Sequence, residues 1–416
     1  MTPAPARIAT LDLIRGVAVM GILAANIAAF ALPEFAYMTP ASMGPPSTPD
    51  LFAWVATFIL VDGKMRGLFS VLFGASMLLV IDRAEANDED AATVHFRRMA
   101  WLFAFGIAHL YLLWWGDILA HYALVGALAF MFVRLPVRWL IAIALLCIGL
   151  QIVQLAGLAA YAFDTHAAAH APGASAKAIE TWQKLADQFG QPSPTAIARD
   201  LALGRSGWAN MVAWRWANVT GPVTFLTIGG PETLGFMLLG MAGLRSGFLT
   251  GGWSRRRYVA VAALGLGTGV IGYASIAAYA IAHGFAAQYV ALSWLTLATP
   301  LRPPMIAGYA AAIILLAQPG GWLTTRIAAA GRMAFSNYLG TTLICTTLFY
   351  GHGFGLFGYL PRVTLYAIVL LIWIAMLAWS KPWLDRFRYG PLEWLWRSLS
   401  RFAWQPIRGS AFEPNR

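Results

Sequence analysis

Charged residues are scarce in this chain. Asp, Glu, Lys and Arg make up 11% of the 416 residues, whereas hydrophobic residues make up 59%. A soluble domain carries about 25% charged residues, so this shortage argues against an ordinary soluble protein. Cysteine is rarer still: Cys147 and Cys345 both lie inside apolar stretches, which indicates packing rather than a disulfide. The seven histidines show no metal-ligand spacing, so we predict no metal site.

The chain also lacks a basic module outside its apolar segments. Its net charge of +11 could suggest a nucleic-acid partner. Because the basic residues lie in short loops between apolar segments, the charge favours contact with anionic lipid instead. We therefore expect membrane lipids, and no nucleic acid, as partners.

What the chain does have is a series of long apolar segments. A transmembrane helix needs about 20 mostly apolar residues, so we predict an all-α, polytopic integral membrane protein with about ten transmembrane helices. Lys64 and Arg66 interrupt the second segment, so residues 51–62 are expected to lie along the interface or to re-enter. The predicted spans are 8–31, 51–82, 98–115, 118–134, 138–162, 218–244, 257–283, 302–317, 332–351 and 363–380.

The distribution of Lys and Arg predicts the orientation. Both residue types are absent from the loops 32–50, 284–301 and 352–361 but recur in the alternate loops and in the tail. Because basic loops stay in the cytoplasm, both termini are predicted to be cytoplasmic, in a bacterial inner membrane. Five basic residues in loop 163–217 are a weak exception, since long loops cross largely regardless of charge.

Three regions follow from this pattern. Residues 1–162 are predicted to form a five-span bundle that holds the polar site. Residues 163–217 form an extracytoplasmic segment, in which Ala174–Phe189 has the spacing of an amphipathic helix. Residues 218–416 form a second five-span bundle with a basic cytoplasmic tail.

The most informative residues lie around Trp114-Trp115-Gly116-Asp117. His109, Asp117 and His121 bracket this turn between two apolar stretches, and ionisable groups at membrane depth tend to be functional. Asp117 and His121 would share a face if the helix began at Asp117, and a carboxylate bonded to an imidazole suits a general base. The plainer alternative is a set of packed, hydrogen-bonded residues.

Other polar residues form smaller groups within the spans. Asp12 and Arg15 are three residues apart on a helix and can pair, or Arg15 can bind a phosphate or carboxylate. Asn26 lies deeper on the same span, where it orients a ligand or bonds another helix. Lys64 and Arg66 either reach the interface or line a cavity for an anionic substrate.

Glu232 and Asn337 are further candidates in the second half of the chain. Glu232 follows Gly230-Pro231 in an apolar span and needs a partner, for which Arg215 and Arg302 are the two expectations. Asn337 belongs to a polar start of the ninth span.

Together these blocks resemble the YeiB-like family, domain of unknown function 418. The resemblance covers nearly the whole chain. The blocks that carry it are LDLIRG at 11–16, GKMRGLFSVLFG at 63–74, Arg97-Arg98 with His109, GDIL at 116–119, GRMAFSNY at 331–338 and GPLEWLWR at 390–397.

The first span is also distantly similar to transmembrane acyltransferases, which include the lysosomal heparan-glucosaminide acetyltransferase and the bacterial acyltransferase-3 enzymes. The shared elements are Asp12, Arg15 and Gly16, then Asp50-Leu51 with Trp54. The resemblance implies transfer from cytoplasmic acetyl-CoA, or another acyl-CoA, to an extracytoplasmic sugar, lipid or envelope glycan. The heparan enzyme's proposed catalytic histidine lies in its first outer loop, and the corresponding loop here, 33–49, has none.

This implied activity assigns a role to each candidate. His109, Asp117 and His121 are predicted as catalytic; Asp12, Arg15, Lys64 and Arg66 as acyl-CoA-binding; and Asn26, Arg215, Glu232, Arg302 and Asn337 as substrate-binding. A transporter or exporter of an anionic or amphipathic solute is the competing hypothesis, since intramembrane charges also serve that purpose. A non-catalytic scaffold is a third, and a homodimer is one assembly to be considered.

Overall fold

The computed structural model of the chain describes residues 9–219 and 221–408, and these residues form helices with no β-strand. The terminal residues 1–8 and 409–416, on which part of the orientation argument depends, lie outside this description. The first half contains α1 (Ala9–Ala31), α2 (Thr48–Leu60), α3 (Lys64–Ala86), α4 (Ala91–Ala108), α5 (Leu119–Ala129) and α6 (Val137–Ala169).

Three shorter helices follow in the predicted extramembrane segment. They are α7 (Ala176–Gln188), α8 (Pro194–Gly204) and α9 (Trp208–Asn218). The second half contains α10 (Pro222–Arg245), α11 (Arg255–Ala282), α12 (Ala287–Ala291), α13 (Arg302–Leu316), α14 (Trp322–Arg332), α15 (Ala334–Phe349), α16 (Arg362–Arg386) and α17 (Pro391–Arg401).

Seven helical segments in the described residues are long and apolar enough to cross a membrane, which confirms the all-α class of a multi-pass membrane protein. They are Ala9–Ala31, Thr48–Ala86, Val137–Ala169, Pro222–Arg245, Arg255–Ala282, Ala287–Leu316 and Arg362–Arg386. Leu119–Phe132 is a shorter apolar helix. The two remaining predicted spans are helical but shorter than the seven. Residues 98–115 correspond to the end of α4 and a π-helical turn at His109–Leu113, and residues 332–351 correspond to α15, which begins after a break at Met333.

The long second segment bends at Gly63, whose φ of +73° lies in the region that glycine tolerates. The separation of residues 51–62 from the following helix is therefore confirmed. One face of α2 packs against protein, since Trp54 and Phe58 are buried, whereas Phe52 and Leu60 on its other face are exposed. Phe58 packs edge-on to Tyr273 of α11, with ring centroids 5.2 Å apart. Aromatic packing thus draws α2 into the helix bundle.

The amphipathic helix predicted within 174–189 is confirmed as α7, which packs on α6. The predicted outer loop 284–301 is wrong as a simple loop. It contains α12, a π-helical turn at Leu292–Leu297 and a 3₁₀ turn at Thr299–Leu301. Trp294 anchors this segment because its Nε1 donates to the Met38 carbonyl oxygen at 2.9 Å.

Contacts between chain ends and loops define two ends of the molecule. At the end where α1 begins, called the basic end here, Thr10 donates to the Leu249 carbonyl oxygen at 2.8 Å, and Trp396 Nε1 donates to the Arg98 carbonyl oxygen at 2.9 Å. At the end where α1 stops, called the loop end, the Gly358 N–H donates to the Ala31 carbonyl oxygen at 2.8 Å. The first contact places the loop between α10 and α11 at the basic end. The second joins helix α17 to α4, and Arg98 and Trp396 line one cavity with Arg15 of α1, which places this part of α4 and α17 at the same end.

Small residues allow the helices that carry the polar groups to approach closely. A Cβ added to Gly74 of α3 would overlap the Met237 carbonyl oxygen of α10, and one added to Gly240 of α10 would overlap the Val71 carbonyl oxygen. The glycine-rich stretch in α11 also allows a close approach, where Gly265 meets the backbone of α13. These close crossings fix the relative positions of α3 and α10, on which Arg66 and Glu232 lie.

Candidate functional site

The turn between α4 and α5 is held together by His109 and Asp117. Asp117 Oδ2 accepts the backbone N–H of Ala120 at 2.8 Å, which satisfies one of the unpaired amides at the start of α5. Asp117 Oδ1 lies 2.8 Å from His109 Nδ1. His109 Nε2 lies 3.0 Å from Thr342 Oγ1 of α15, and the imidazole is only 1% exposed. Both ring nitrogens of His109 therefore have partners within the protein.

This geometry corrects the expected pairing of Asp117 with His121. The helix begins at Leu119 rather than at Asp117, so the carboxylate lies before the first turn and does not share a helical face with His121. Because the carboxylate accepts a backbone N–H in front of it, its other oxygen is turned back toward His109. The imidazole that Asp117 orients is that of His109.

His121 instead joins a polar cluster on α10. Its Nε2 lies 2.9 Å from Thr233 Oγ1, and its ring packs edge-on to Phe225, with centroids 4.8 Å apart. Its Nδ1 is buried and has no hydrogen-bond partner among the residues that the structure describes. An imidazole held through one nitrogen keeps the other available to accept or donate a proton.

Glu232 forms the centre of a charge network beside this histidine. Its Oε1 accepts from Arg302 Nη1 at 2.7 Å, and its Oε2 accepts from Arg66 Nη2. Arg66 Nη1 also donates to Thr233 Oγ1 at 3.2 Å. Of the two partners expected for Glu232, Arg302 is confirmed, and Arg66 takes the place of Arg215. Two guanidinium groups against one carboxylate leave an excess positive charge.

A break in α10 allows Glu232 to point into this network. Pro231 has no N–H, so the Thr227 carbonyl oxygen one turn earlier loses its helical donor. Gln154 Nε2 donates to that oxygen at 2.8 Å, and Gln151 Nε2 donates to the Ile228 carbonyl oxygen at 2.6 Å. Side chains of α6 thus donate the hydrogen bonds that these two carbonyl oxygens of α10 would otherwise lack. Sequence reasoning missed both glutamines, although the Gly-Pro-Glu sequence itself signals a break.

Three of the predicted site residues, Arg215, Asn337 and Lys64, are engaged in contacts that join helices elsewhere. Arg215 donates to the Tyr111 and Leu112 carbonyl oxygens at 2.9 and 3.1 Å, which ties α9 to the π-helical turn. Asn337 bonds the Ala330 carbonyl oxygen, Ser380 and Trp379, so its amide is fully engaged at the basic end. Lys64 is fully buried, with Nζ 3.3 Å from the centroid of the Tyr273 ring. These contacts support helix packing at all three positions.

A cavity of about 690 Å³, called the loop-end cavity here, adjoins the charge network. Five of the predicted site residues line it: Asn26, Arg66, Asp117, His121 and Arg302. Trp115, Trp214 and Trp294 contribute aromatic walls. Polar groups among aromatic faces are typical of sites that bind small polar molecules such as sugars.

A second cavity, called the basic-end cavity here, has a volume of about 230 Å³ and mainly apolar walls such as Phe73, Met77 and Met99. Arg15 lines it, with Nη1 3.0 Å from Asp12 Oδ1 and Nη2 2.6 Å from Ser76 Oγ. The predicted pairing of Asp12 with Arg15 is thus confirmed. Arg98 and Arg332 line the same cavity, so its apolar interior is combined with three guanidinium groups.

The two cavities are separated by a shared wall of four side chains. The wall consists of Ile22, Ile118, Tyr122 and Tyr338, each of which lines both cavities. Tyr122 is fixed in place, since its hydroxyl lies 2.8 Å from Ser70 Oγ and donates to the Arg66 carbonyl oxygen at 3.0 Å. The Tyr338 ring packs on His109, with centroids 5.3 Å apart. His109 therefore supports the wall from behind, whereas His121 faces the loop-end cavity.

Comparison with known proteins identifies the family. The chain is 34% identical to "Uncharacterized protein YeiB" of Escherichia coli (strain K12) over 413 residues, which cover 95% of this chain and 97% of that one. This chain belongs to the YeiB-like family. "Uncharacterized protein YxaH" of Bacillus subtilis (strain 168) is 28% identical over 410 residues, 96% of each chain. The family model "Protein of unknown function (DUF418)" matches residues 244–403. No solved structure matches this YeiB-like chain.

Proposed function

We propose that this YeiB-like protein is a transmembrane acyltransferase that moves an acyl group, such as acetyl, from cytoplasmic acyl-CoA to an extracytoplasmic acceptor. The observation that carries the proposal is the wall of Ile22, Ile118, Tyr122 and Tyr338 between two chemically different cavities. A donor entering from one end and an acceptor entering from the other would meet at this wall. Holding two reactants in place in this way lowers the entropic part of the barrier.

The basic-end cavity has the chemistry of a site for the donor. Its apolar walls suit the acyl-pantetheine arm, and Arg15, Arg98 and Arg332 suit phosphate groups. Because basic loops remain in the cytoplasm, this end would face the cytoplasm of a bacterial cell, with both termini there. Asp12 holds Arg15 in position. Lys64, predicted to bind acyl-CoA, would act only through helix packing.

The loop-end cavity would hold the acceptor, a sugar, lipid or envelope glycan with a free hydroxyl. Asn26, Asp117 and Arg302 offer it hydrogen bonds, and the tryptophan walls offer ring contacts. We assign Arg215 and Asn337 to structure rather than to this cavity, because their polar atoms are engaged elsewhere.

His121 is the proposed general base. Its Nδ1 would take the proton of the acceptor hydroxyl as that oxygen attacks the thioester carbonyl carbon. The new C–O bond forms, the carbonyl oxygen becomes an oxyanion, and the C–S bond then breaks. The departing thiolate takes the proton from His121, so the imidazole ends as it began. The excess positive charge of Arg66 and Arg302 around Glu232 would stabilise the oxyanion.

His109 and Asp117 become positioning residues in this scheme. Asp117 lines the loop-end cavity, whereas His109 lines neither cavity and has both ring nitrogens engaged. They would influence the reaction indirectly, because His109 packs on Tyr338 and so holds that part of the wall in position. A role for His109 as the acyl carrier does not fit an imidazole without a free nitrogen.

The test is acyl incorporation into envelope material in cells that express the protein. Radiolabelled acetate would be followed into base-labile esters of the envelope fraction, with protein levels checked by immunoblot. We expect His121→Gln to abolish the incorporation that the wild-type protein adds. His352→Gln, an exposed histidine of the loop end, should leave it unchanged. Incorporation that persists in His121→Gln would refute the assignment of the base.

Transport of an anionic solute is the second candidate, favoured by the same observation. Two cavities on either side of a thin wall also fit a carrier in an occluded state, and Arg66 and Arg302 of the loop-end cavity would bind an anionic group of the solute. Release of free CoA from acetyl-CoA separates the two. An acyltransferase releases CoA in proportion to ester formed, whereas a carrier shows solute flux with no thiol release.

A further inference from the structure

A third cavity adjoins the basic-end cavity. It is an open groove of about 510 Å³ between the end of α3, the start of α4 and helix α17. Val80 and Arg98 line both this groove and the basic-end cavity, so the two lie side by side with only these side chains in common. Five arginines line the groove, and we call it the arginine groove: Arg83, Arg97, Arg98, Arg397 and Arg401.

The groove has fewer acids than bases, and its acids are weakly coupled to the arginines or engaged elsewhere. Glu89 lies 3.6 Å from Arg401, with both side chains partly exposed, so this pair contributes little. Asp90 accepts the backbone N–H groups of Ala92 and Thr93 at 3.2 Å each, which caps α4. Glu89 and Asp90 are the two acids that line the groove, compared with five guanidinium groups, so the groove has a strong excess of positive charge.

Contacts with aromatic rings fix the positions of three of these arginines. Arg98 lies over the Trp396 ring, 4.1 Å from its centroid, and Arg97 lies 5.0 Å from that of Phe402. Arg397 stacks on Tyr389, and its buried Nε has no hydrogen-bond partner among the described residues. Stacked guanidinium groups keep their N–H edges available, and those edges match phosphate oxygens in pairs.

Helix α17 sets the width of the groove. Glu393 anchors its first turn, with Oε1 accepting the backbone N–H of Phe335 at 2.8 Å and that of Ser336 at 3.1 Å. Trp396 Nε1 anchors the next turn to α4 through the Arg98 carbonyl oxygen. The helix thus holds Arg397 and Arg401 opposite Arg83 and Arg97, at the entrance of the apolar cavity.

We propose that the arginine groove and the basic-end cavity form one site for a phosphorylated amphipathic ligand, with its phosphates in the groove and its apolar arm in the cavity. Two sources have this chemistry: the nucleotide end of an acyl-CoA, and the headgroup of an anionic phospholipid. The nucleotide source rests on the proposed function and deepens it, because it extends the donor site from Arg15 to the arginines of α3, α4 and α17.

The experiment uses the full-length protein in nanodiscs of phosphatidylcholine. Coenzyme A is the probe, and pantetheine, which has the arm without the phosphates, is its comparison. The variant Arg83→Ala/Arg401→Ala removes two exposed guanidinium groups without disturbing the buried contacts. The matched control is Arg255→Ala/Arg256→Ala, which removes two exposed arginines of the basic end outside the groove. A second arm measures retention of phosphatidylglycerol by native mass spectrometry in mixed nanodiscs.

We expect coenzyme A to bind more tightly than pantetheine, and Arg83→Ala/Arg401→Ala to weaken coenzyme A binding by about ten-fold or more while pantetheine is unaffected. Added salt should weaken coenzyme A binding as well, because the groove is open to solvent. If only phosphatidylglycerol retention falls in the variant, the site stands and its source is lipid. If neither probe responds to the variant, or the control responds equally, the proposal is wrong.

These outcomes are independent of the test of acyl transfer. Suppose that envelope acylation depends on His121 but coenzyme A binding does not depend on Arg83 and Arg401. The groove site would then be wrong, and the proposed function would stand. If coenzyme A binding depends on these arginines but the wild-type protein adds no acyl groups, the groove site would stand and the proposed function would be wrong.

Discussion

Asp117 Oδ1 lies 2.8 Å from His109 Nδ1, and both side chains are almost completely buried. Because the carboxylate accepts at this distance, the His109 Nδ1 carries the hydrogen of the bond. Thr342 Oγ1 donates to the Tyr338 carbonyl oxygen at 3.3 Å, so it can accept from a second N–H on His109 Nε2. The His109 ring thus links Asp117 of the turn to Thr342 of α15 through both of its nitrogens.

Asp117→Ala is therefore expected to be strongly destabilising. It leaves the Nδ1–H of a buried imidazole and the Ala120 N–H without their acceptor. Each buried donor that is left without a partner costs about 1–3 kcal/mol. The measurement is the free energy of unfolding in mixed detergent micelles. Asp385→Ala, which breaks the exposed pair with Lys381, is the control and should cost less than about 1 kcal/mol. Equal effects in the two variants would contradict this account.

Glu232 and Arg302 should be coupled in a double-mutant cycle. Glu232→Leu leaves two partly buried guanidinium groups without a carboxylate, and Arg302→Leu leaves the buried Glu232 with Arg66 alone. We expect Glu232→Leu alone to cost about 3–5 kcal/mol. The double variant should lose less than the sum of the single variants, because residues in direct contact are not additive. Additive losses in the unfolding measurement would show that the pair is not coupled.

The sequence predicts best those features that depend on neighbours along the chain. The helical class follows from the length of the apolar segments, and the pairing of Asp12 with Arg15 follows from their separation of three residues. The α7 helix follows from its apolar spacing. Each needs only the geometry of one helix, and each is present in the structure.

Long-range partners are harder to predict, because they depend on how helices pack. The sequence showed that Glu232 needs a cation, yet Arg66 lies 166 positions away and was not among the two partners expected. The pairing of Asp117 with His121 was wrong because it required a helix start two residues early. Neither the shared wall nor the arginine groove leaves a local signal, since α1, α3, α4, α5, α15 and α17 all contribute to one or both.

Gly74→Ala should disrupt the crossing of α3 and α10. The new Cβ would overlap the Met237 carbonyl oxygen, which belongs to the backbone and cannot turn aside. We expect the helices to separate, with a marked fall in unfolding temperature and in folded yield. Gly149→Ala on α6 is the matched control, since a Cβ there meets nothing within 4 Å. That variant should gain about 0.5–1 kcal/mol from helix propensity. A Gly74→Ala protein as stable as Gly149→Ala would show that the crossing is looser than described.

Gln154→Leu should remove the donor that satisfies the interrupted turn before Pro231. The Thr227 carbonyl oxygen would then lack both its helical donor and the Gln154 amide, at a cost of about 0.5–1.5 kcal/mol because the bond is exposed. Pro231→Ala restores a backbone N–H that can bond Thr227, so Gln154→Leu should cost clearly less in that background. Unfolding free energies of the four proteins test this coupling. Gln318→Leu at an exposed loop position serves as the control, and an equal cost of Gln154→Leu in both backgrounds would show that Gln154 does not compensate for the proline.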